Sequence, residues 1–236
     1  MITVQIEKTQ SLQHNLSKME IQKQIKELLD TLPDHVSLVA VSKTKPNQDL
    51  EAAYKAGQRI FGENKIQEMT QKWETLPKDI EWHMIGHVQT NKVKYMAPYV
   101  TLIHGVDRYK LLKEINKQAA KNNRIIDCLL QVHIAEEETK FGFNRTELEE
   151  VVLDLKANPL PNVRITGLMG MATFTENKDQ IRTEFKNLKK TSDWLQKHIQ
   201  EAKICSTGMS GDYELAIEEG STMIRVGSKI FGSRNY

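Results

Sequence analysis

The sequence predicts an α/β fold, a single (β/α)8 barrel of the TIM type with one extra N-terminal helix. Short β-branched runs alternate with amphipathic helical runs about eight times. The strand-like runs are apolar nearly throughout, as parallel strands covered on both faces require. No internal repeat, low-complexity tract or Gly/Ser linker divides the 236 residues, a length that α/β barrels commonly fill as one domain. One domain is therefore expected over residues 1–236, with 1–32 as the leading helix and 33–236 as the barrel. A doubly wound sheet is the alternative. It fits less well because no G-x-G-x-x-G turn follows the first strand and the chain ends a few residues after the last one.

The elements follow in order. The opening stretch is polar, with apolar residues at helical spacing in "LSKMEIQKQIKELLDTL", and Pro33 ends that helix. Then come "VSLVAVSK" and "NQDLEAAYKAG", "RIFGE" and "KIQEMTQKWETL", "IEWHMIG" and "TNKVKYMAP". The series continues with "VTLIHGVD" and "YKLLKEINKQAAKNN", "IIDCLLQVHI" and "TELEEVVLDLKAN", "RITGLMGM" and "KDQIRTEFKNLKKTSDWLQKHI". It closes with "KICSTGM" and "DYELAIEEG", and finally "TMIRVGSKIFG".

Composition narrows the partners. The net charge of +2 is close to neutral, so there is no global case for nucleic acid or an acidic membrane. The densest basic stretch, "KNLKKTSDWLQKH", interleaves Leu188 and Leu195 at helical spacing behind Phe185, which makes its lysines a solvated face. The start, "MITVQIEKTQ", lacks the basic and apolar regions of a signal peptide, and no run reaches membrane-spanning length. A cytoplasmic protein is expected. Cys128 and Cys205 each fall inside an apparent strand without metal-like spacing, and read as reduced core thiols.

In such a barrel the active site gathers at the C-terminal ends of the strands. Val39, Val41 and Lys43 share one face of the first strand, so the Lys43 amine points where the valines point, at the mouth. There an amine can lose its proton and attack a carbonyl, or it can simply snorkel to the rim. Asn47 is a candidate cap for the helix that follows Pro46, and Lys45 lies past the strand, in solvent.

Barrels often bind phosphate with the loops after strands seven and eight, through N–H groups at helix N-termini. Here Ser210 and Gly211 open the helix in "STGMSGDYELAI", and Gly227 and Ser228 open the one in "RVGSKIFG". Glycine lets the backbone approach an anion, and serine adds a hydroxyl donor. A phosphate facing a lysine on the neighbouring first strand points to a phosphorylated aldehyde or ketone. Arg225 shares parity with Met223 and Gly227 and so points inward, where it needs a partner. That partner is either an acid such as Glu63 or Asp127, or a ring nitrogen of pyridoxal phosphate.

At these residues the chain resembles a known family. "VAVSKTKP", "FGEN", "IEWHMIGHVQTNK", "TKFGF" and above all "MSGDYELAIEEGSTMIRVGSKIFG" are similar to the YggS/PROSC family of pyridoxal 5′-phosphate (PLP) homeostasis proteins. The resemblance spans nearly the whole chain from the first strand onward. It implies a barrel related to the N-terminal domain of bacterial alanine racemase, with PLP held as a Schiff base on Lys43. It also implies phosphate contacts at Ser210, Gly227 and Ser228, a ring-nitrogen contact at Arg225, and Asn64 near the cofactor. The chain departs in two places. Lys65 stands where the family usually has tyrosine after "FGEN", and "GLMGMATFTEN" lacks the proline often found after "GLM".

Three function classes remain open: a PLP carrier that buffers the aldehyde or passes it to PLP-dependent apoenzymes, an amino-acid racemase on the same barrel, and a cofactor-free aldolase. Racemisation needs acid–base groups on both faces of the cofactor, and alanine racemases draw the second, a tyrosine, from the C-terminal domain of a partner subunit, a domain not expected in a chain that ends at Tyr236. The carrier is therefore favoured, without robust catalysis and as a monomer. His83 and His87 are four apart, but an intervening glycine and strand-like run argue against a metal. His83 can line the mouth; His104 and His133 read as satisfied strand-end histidines. Lys140, in the loop after strand five, is a surface lysine or a second amine at the mouth that could receive the aldehyde.

Overall fold

A computed structural model describes residues 2–136 and 141–232, with side chains from residue 17 onward. The leading helix α1 (Ile2–Thr31) precedes β1 (Ser37–Val41), α2 (Asn47–Lys55), β2 (Ile60–Glu63), α3 (Ile66–Thr75) and β3 (Glu81–Met84). A single 3-10 turn (Thr90–Lys92) runs into the short α4 (Val93–Met96), followed by β4 (Leu102–Val106), α5 (Tyr109–Lys121), β5 (Ile126–Gln131) and α6 (Arg145–Ala157). Then come β6 (Val163–Met169), α7 (Lys178–His198), β7 (Ile204–Ser206), α8 (Tyr213–Glu218), β8 (Met223–Val226) and α9 (Ser228–Phe231).

The sheet closes in chain order from β1 round to β8, and β8 pairs in parallel with β1, Val39 opposite Arg225. Closure excludes the doubly wound alternative and confirms the α/β barrel with its extra helix. Alternation along each strand separates two cores. Leu38, Ala40, Phe61, Trp82 and Ile103 point out and pack under the helices. Val39, Leu102, Leu129, Met169 and Met223 point in and fill the barrel. Each large side chain so buried contributes roughly 1.5–3 kcal/mol. On α1, Ile21, Ile25 and Leu28 are buried, and the helix lies against α2 and α9. Its apolar spacing, read from sequence, is the stripe that docks it.

Gly62 shows why the barrel can be this tight. A Cβ there would stand 2.8 Å from Val39 Cγ1 and 3.1 Å from Ile85 Cδ1. Only glycine lets the inward position of β2 clear the valine that leads to Lys43.

Local expectations fail in two places. Asn47 is not the cap of α2: Pro46 holds that position with extended backbone, and the Asn47 amide instead donates to Thr75 Oγ1 at 2.8 Å. Ser210 and Gly211 do not open α8, which starts at Tyr213. They form the tip of a turn from Met209 to Asp212, closed by Asp212 N–H donating to Met209 O at 3.1 Å and by the Asp212 carboxylate accepting from Met209 N–H. An aspartate that bonds its own upstream backbone favours a turn over an earlier helical start. Among the described residues no helix is long and apolar enough to cross a membrane. Lys140 and Tyr236 lie outside the described residues.

Candidate functional site

Lys43 follows the inward face of β1 as expected. Val39 belongs to the interior core, and Val41 and Lys43 both line a cavity of about 440 Å³ at the C-terminal end of the barrel. That volume is within the range of small-molecule sites, about 300–1,000 Å³. Ser210, Gly211, Arg225, Gly227, Ser228 and Asn64 line the same cavity, so seven of the eight candidates converge there. Met171, Phe174 and Ile85 supply its apolar wall.

The two final loops form one structure. Gly227 N–H donates to Ser210 Oγ at 3.1 Å, joining the β7 turn to the start of α9. Gly227 is the residue before α9, as expected, and a Cβ there would press to 3.1 Å on Val41 O. At Gly211 a Cβ would meet nothing within 4 Å, so the turn tip leaves open space. Lys45 is not in solvent: it is half-buried and its ammonium donates to Phe231 O at 2.7 Å, holding the C-terminal end of α9. The four-residue helix leaves its carbonyls unpaired, which is what draws the lysine in.

Arg225 is 4% exposed and meets neither acid considered from sequence. Its guanidinium donates to Ser206 O at 2.9 Å, Ser206 Oγ at 2.7 Å and Gly170 O at 3.1 Å. Asp127 is held by Arg164, and Glu63 by Lys72. Glu63 is on the outward parity of β2, and Asp127 lies at the N-terminal start of β5, away from the mouth, whereas Arg225 faces in. Burial lowers the Arg225 pKa to about 10, which leaves it a cation at neutral pH.

His83 does not line the cavity. It is 2% exposed inside the barrel, where its Nδ1 lies 3.0 Å from His104 Nε2. His104 Nδ1 in turn lies 3.2 Å from Ser206 Oγ, so a buried chain runs from His83 to Arg225. Burial pushes the His83 pKa down to about 3 and that of His104 well below the ordinary value, so both rings are neutral. His87, four residues on, pairs with Asp107 at 2.9 Å and stacks on Phe141. Lys65 is exposed at the start of α3. Cys128 and Cys205 are buried free thiols; burial raises both pKa values, that of Cys205 to about 12.

Sequence reasoning missed what holds the Lys43 turn. Lys72 of α3 is buried, and its ammonium donates to Ser42 O at 2.8 Å, Glu63 Oε1 at 2.8 Å and Glu68 Oε1 at 2.7 Å. Ser42 Oγ donates to Glu63 Oε1 at 2.6 Å, and Thr44 N–H donates to Glu68 Oε1 at 2.6 Å. Burial raises the Glu63 pKa, against the pull of Lys72. The charged residues in "FGEN" and "KIQEMTQK" were visible, but helical spacing gave Lys72 no reason to stand out from its neighbours.

Fold and site together define a barrel of the alanine racemase N-terminal type, with an amine and two joined glycine–serine loops at its mouth. The family described as alanine racemase, N-terminal domain, matches residues 15–235. A pyridoxal phosphate homeostasis protein of Aquifex aeolicus is 44% identical over 204 residues, covering 84% of this chain and 87% of the relative. That of Escherichia coli K12 is 35% identical over 209 residues, covering 86% and 88%. The structure of PipY from Synechococcus elongatus with PLP bound matches with a TM-score of 0.81 at 33% identity, over 90% of this chain and 100% of that one. Alanine racemase from Streptomyces coelicolor shares the fold, with a TM-score of 0.78 at 15% identity over 92% of this chain and 59% of its own. The chain belongs to the pyridoxal phosphate homeostasis protein family.

Proposed function

We propose that this chain binds PLP as a reversible Schiff base on Lys43 and serves the intracellular homeostasis of that vitamin B6 cofactor, without robust catalysis. The observation that carries the reading is the placement of Lys43 and the joined Ser210–Gly227 loops on one cavity floored by Arg225. The residues fit the group. Open space at Gly211, a serine hydroxyl on each loop and the start of α9 suit a phosphate; a buried cation whose hydrogen bonds go to Ser206 and Gly170, with the Asp212 carboxylate acting on it through space, suits an aromatic ring nitrogen.

When bound, PLP supplies an aldehyde that condenses with an amine with loss of water. Lys43 provides that amine, and Ser210, Gly227 and Ser228 hold the phosphate. Arg225 donates to the ring nitrogen and cannot take up its charge, which weakens the ring as an electron sink. Asn64 flanks the cavity wall, and His83 acts from beneath, through His104 and Ser206. Among the described lining residues no carboxylate, imidazole or phenol stands opposite Lys43 as a second proton carrier, which suits holding better than turnover. A cytoplasmic monomer that buffers the aldehyde or passes it to PLP-dependent apoenzymes fits these features.

The test is an absorbance spectrum of protein supplied with PLP, then borohydride reduction and mapping of the labelled peptide. A visible band and an adduct at Lys43 are expected. No band, or an adduct elsewhere, sinks the reading. Steady-state conversion of L-alanine to its enantiomer turns it toward a racemase, and reaction of an aldehyde substrate without PLP toward an aldolase.

A further inference from the structure

Lys43 occupies the second position of a tight turn. Lys45 N–H donates to Ser42 O at 3.0 Å, and Thr44, in the third position, has φ +65°. Positive φ at the third position alone is the pattern of a type II turn, which calls for glycine there. A β-branched residue in the left-handed region is strained and persists only where its surroundings hold it. Here they are unusually specific. The residues on either side of Lys43 are gripped by one set of charges: Ser42 O by Lys72, Ser42 Oγ by Glu63, and Thr44 N–H by Glu68.

All three donors of the Lys72 ammonium are spent in this cluster. Lys72 and Glu63 side chains are 6% and 0% exposed, and Glu63 Oε2 is buried with no hydrogen-bond partner among the described residues. Such a cluster is a poor way to gain stability, because well-packed apolar residues of the same volume serve as well or better. Its distinguishing product is geometric. Local rules broken at one spot, a strained threonine beside a buried Lys72–Glu63 pair and a partly exposed Glu68, are what a functional site leaves in a fold.

We propose that Lys72 and Glu68 are positioning residues for Lys43: with Glu63 they clamp the turn from Ser42 to Lys45 in the strained form that presents the amine to the cavity. The proposal rests on the reading of Lys43 as the amine that captures PLP. Without the clamp, Thr44 relaxes toward negative φ and rotates the peptide that carries Lys43.

The test uses the full chain and a rescue. Glu68→Ala removes the acceptor for Thr44 N–H at a partly exposed site, so the variant folds; Lys72→Met is the harsher companion, since it leaves Glu63 buried without its cation. Amide exchange of Thr44 in cofactor-free protein is expected to quicken on the order of tenfold or more in Glu68→Ala. Borohydride-trapped adduct formation at Lys43 is expected to slow on the order of tenfold to hundredfold. Binding of pyridoxine 5′-phosphate, which has the phosphate and no aldehyde, is expected to stay unchanged. Adding Thr44→Gly, which adopts positive φ without strain, restores the adduct rate. Wild-type rates in Glu68→Ala, failure of Thr44→Gly to restore them, or equal loss of pyridoxine 5′-phosphate binding would overturn the clamp. If the wild-type chain itself yields no Lys43 adduct, the functional reading fails, and the exchange of the Thr44 amide still reports whether the turn is held.

Discussion

Ser210 Oγ accepts the Gly227 N–H at 3.1 Å, and that one bond joins the loops after the last two strands into a single structure, the proposed phosphate cradle. Ser210→Ala removes both the link and a hydroxyl. Affinity for PLP is expected to fall about tenfold to hundredfold, the worth of one hydrogen bond to a charged group, about 1.5–3 kcal/mol. Pyridoxal, which lacks the phosphate, should bind the variant as it binds the wild type. Titration of the visible band with each compound checks both halves.

Lys43→Ala separates binding chemistry from folding. Lys43 is half-buried at a turn, so its loss should cost no more than about 1 kcal/mol of stability. The visible band and the borohydride adduct should disappear together. Denaturant unfolding beside the spectrum shows whether the chemistry was lost alone.

Arg225→Lys tests the buried cation. Arg225 bridges Ser206 on β7 and Gly170 just after β6 with a planar fork, and an ammonium cannot reproduce that spread. Leaving a buried oxygen unpaired costs about 1–3 kcal/mol, so the urea midpoint should drop with an unchanged slope.

The buried histidines make a pH prediction. His83 and His104 have depressed pKa values in the folded chain and titrate near the ordinary 6.5 once unfolded. Between those limits the unfolded state binds more protons, so stability rises with pH there. Their contribution is complete above the unfolded value and is lost as pH falls below it. At about pH 5.5 each histidine should have cost about 1.4 kcal/mol relative to pH above 7.5. Denaturant unfolding of the wild type and of His83→Leu/His104→Leu across this window checks it, and the double variant should show a flatter slope.

The same chain orders its protons as a unit. Arg225 can only donate, so Ser206 Oγ accepts from it, and we predict that the Ser206 hydroxyl proton goes to His104 Nδ1. In that order His104 carries its proton on Nε2 and donates to His83 Nδ1, which puts the His83 proton on Nε2 as well; the reverse order, with Ser206 Oγ also accepting from His104 Nδ1–H, puts both protons on Nδ1. Nitrogen NMR of the two rings should report both as Nε2–H tautomers, and Ser206→Ala should release that order in His104.

Much of the site was legible because strand alternation is a local rule. Val39, Val41 and Lys43 on one face, and Met223, Arg225 and Gly227 on another, follow from a period of two, and the structure keeps both sets facing in. His83 was legible only by half. Its inward direction follows from the same period, but whether an inward residue reaches the mouth depends on its height along the barrel, which the His83–His104 contact reveals.

From the sequence alone came the alternation that closes eight parallel strands, the amine at the end of the first and the glycine–serine loops after the last two. The folded chain alone decided partnership: Lys72 with Ser42 and Glu63, Ser206 with His104 and Arg225, Lys45 with Phe231. The physical reason is range. Periodicity is set by the backbone over a few residues, whereas a buried charge takes whichever partner the closed barrel carries to within hydrogen-bond distance, and that partner leaves no mark on its own stretch of sequence.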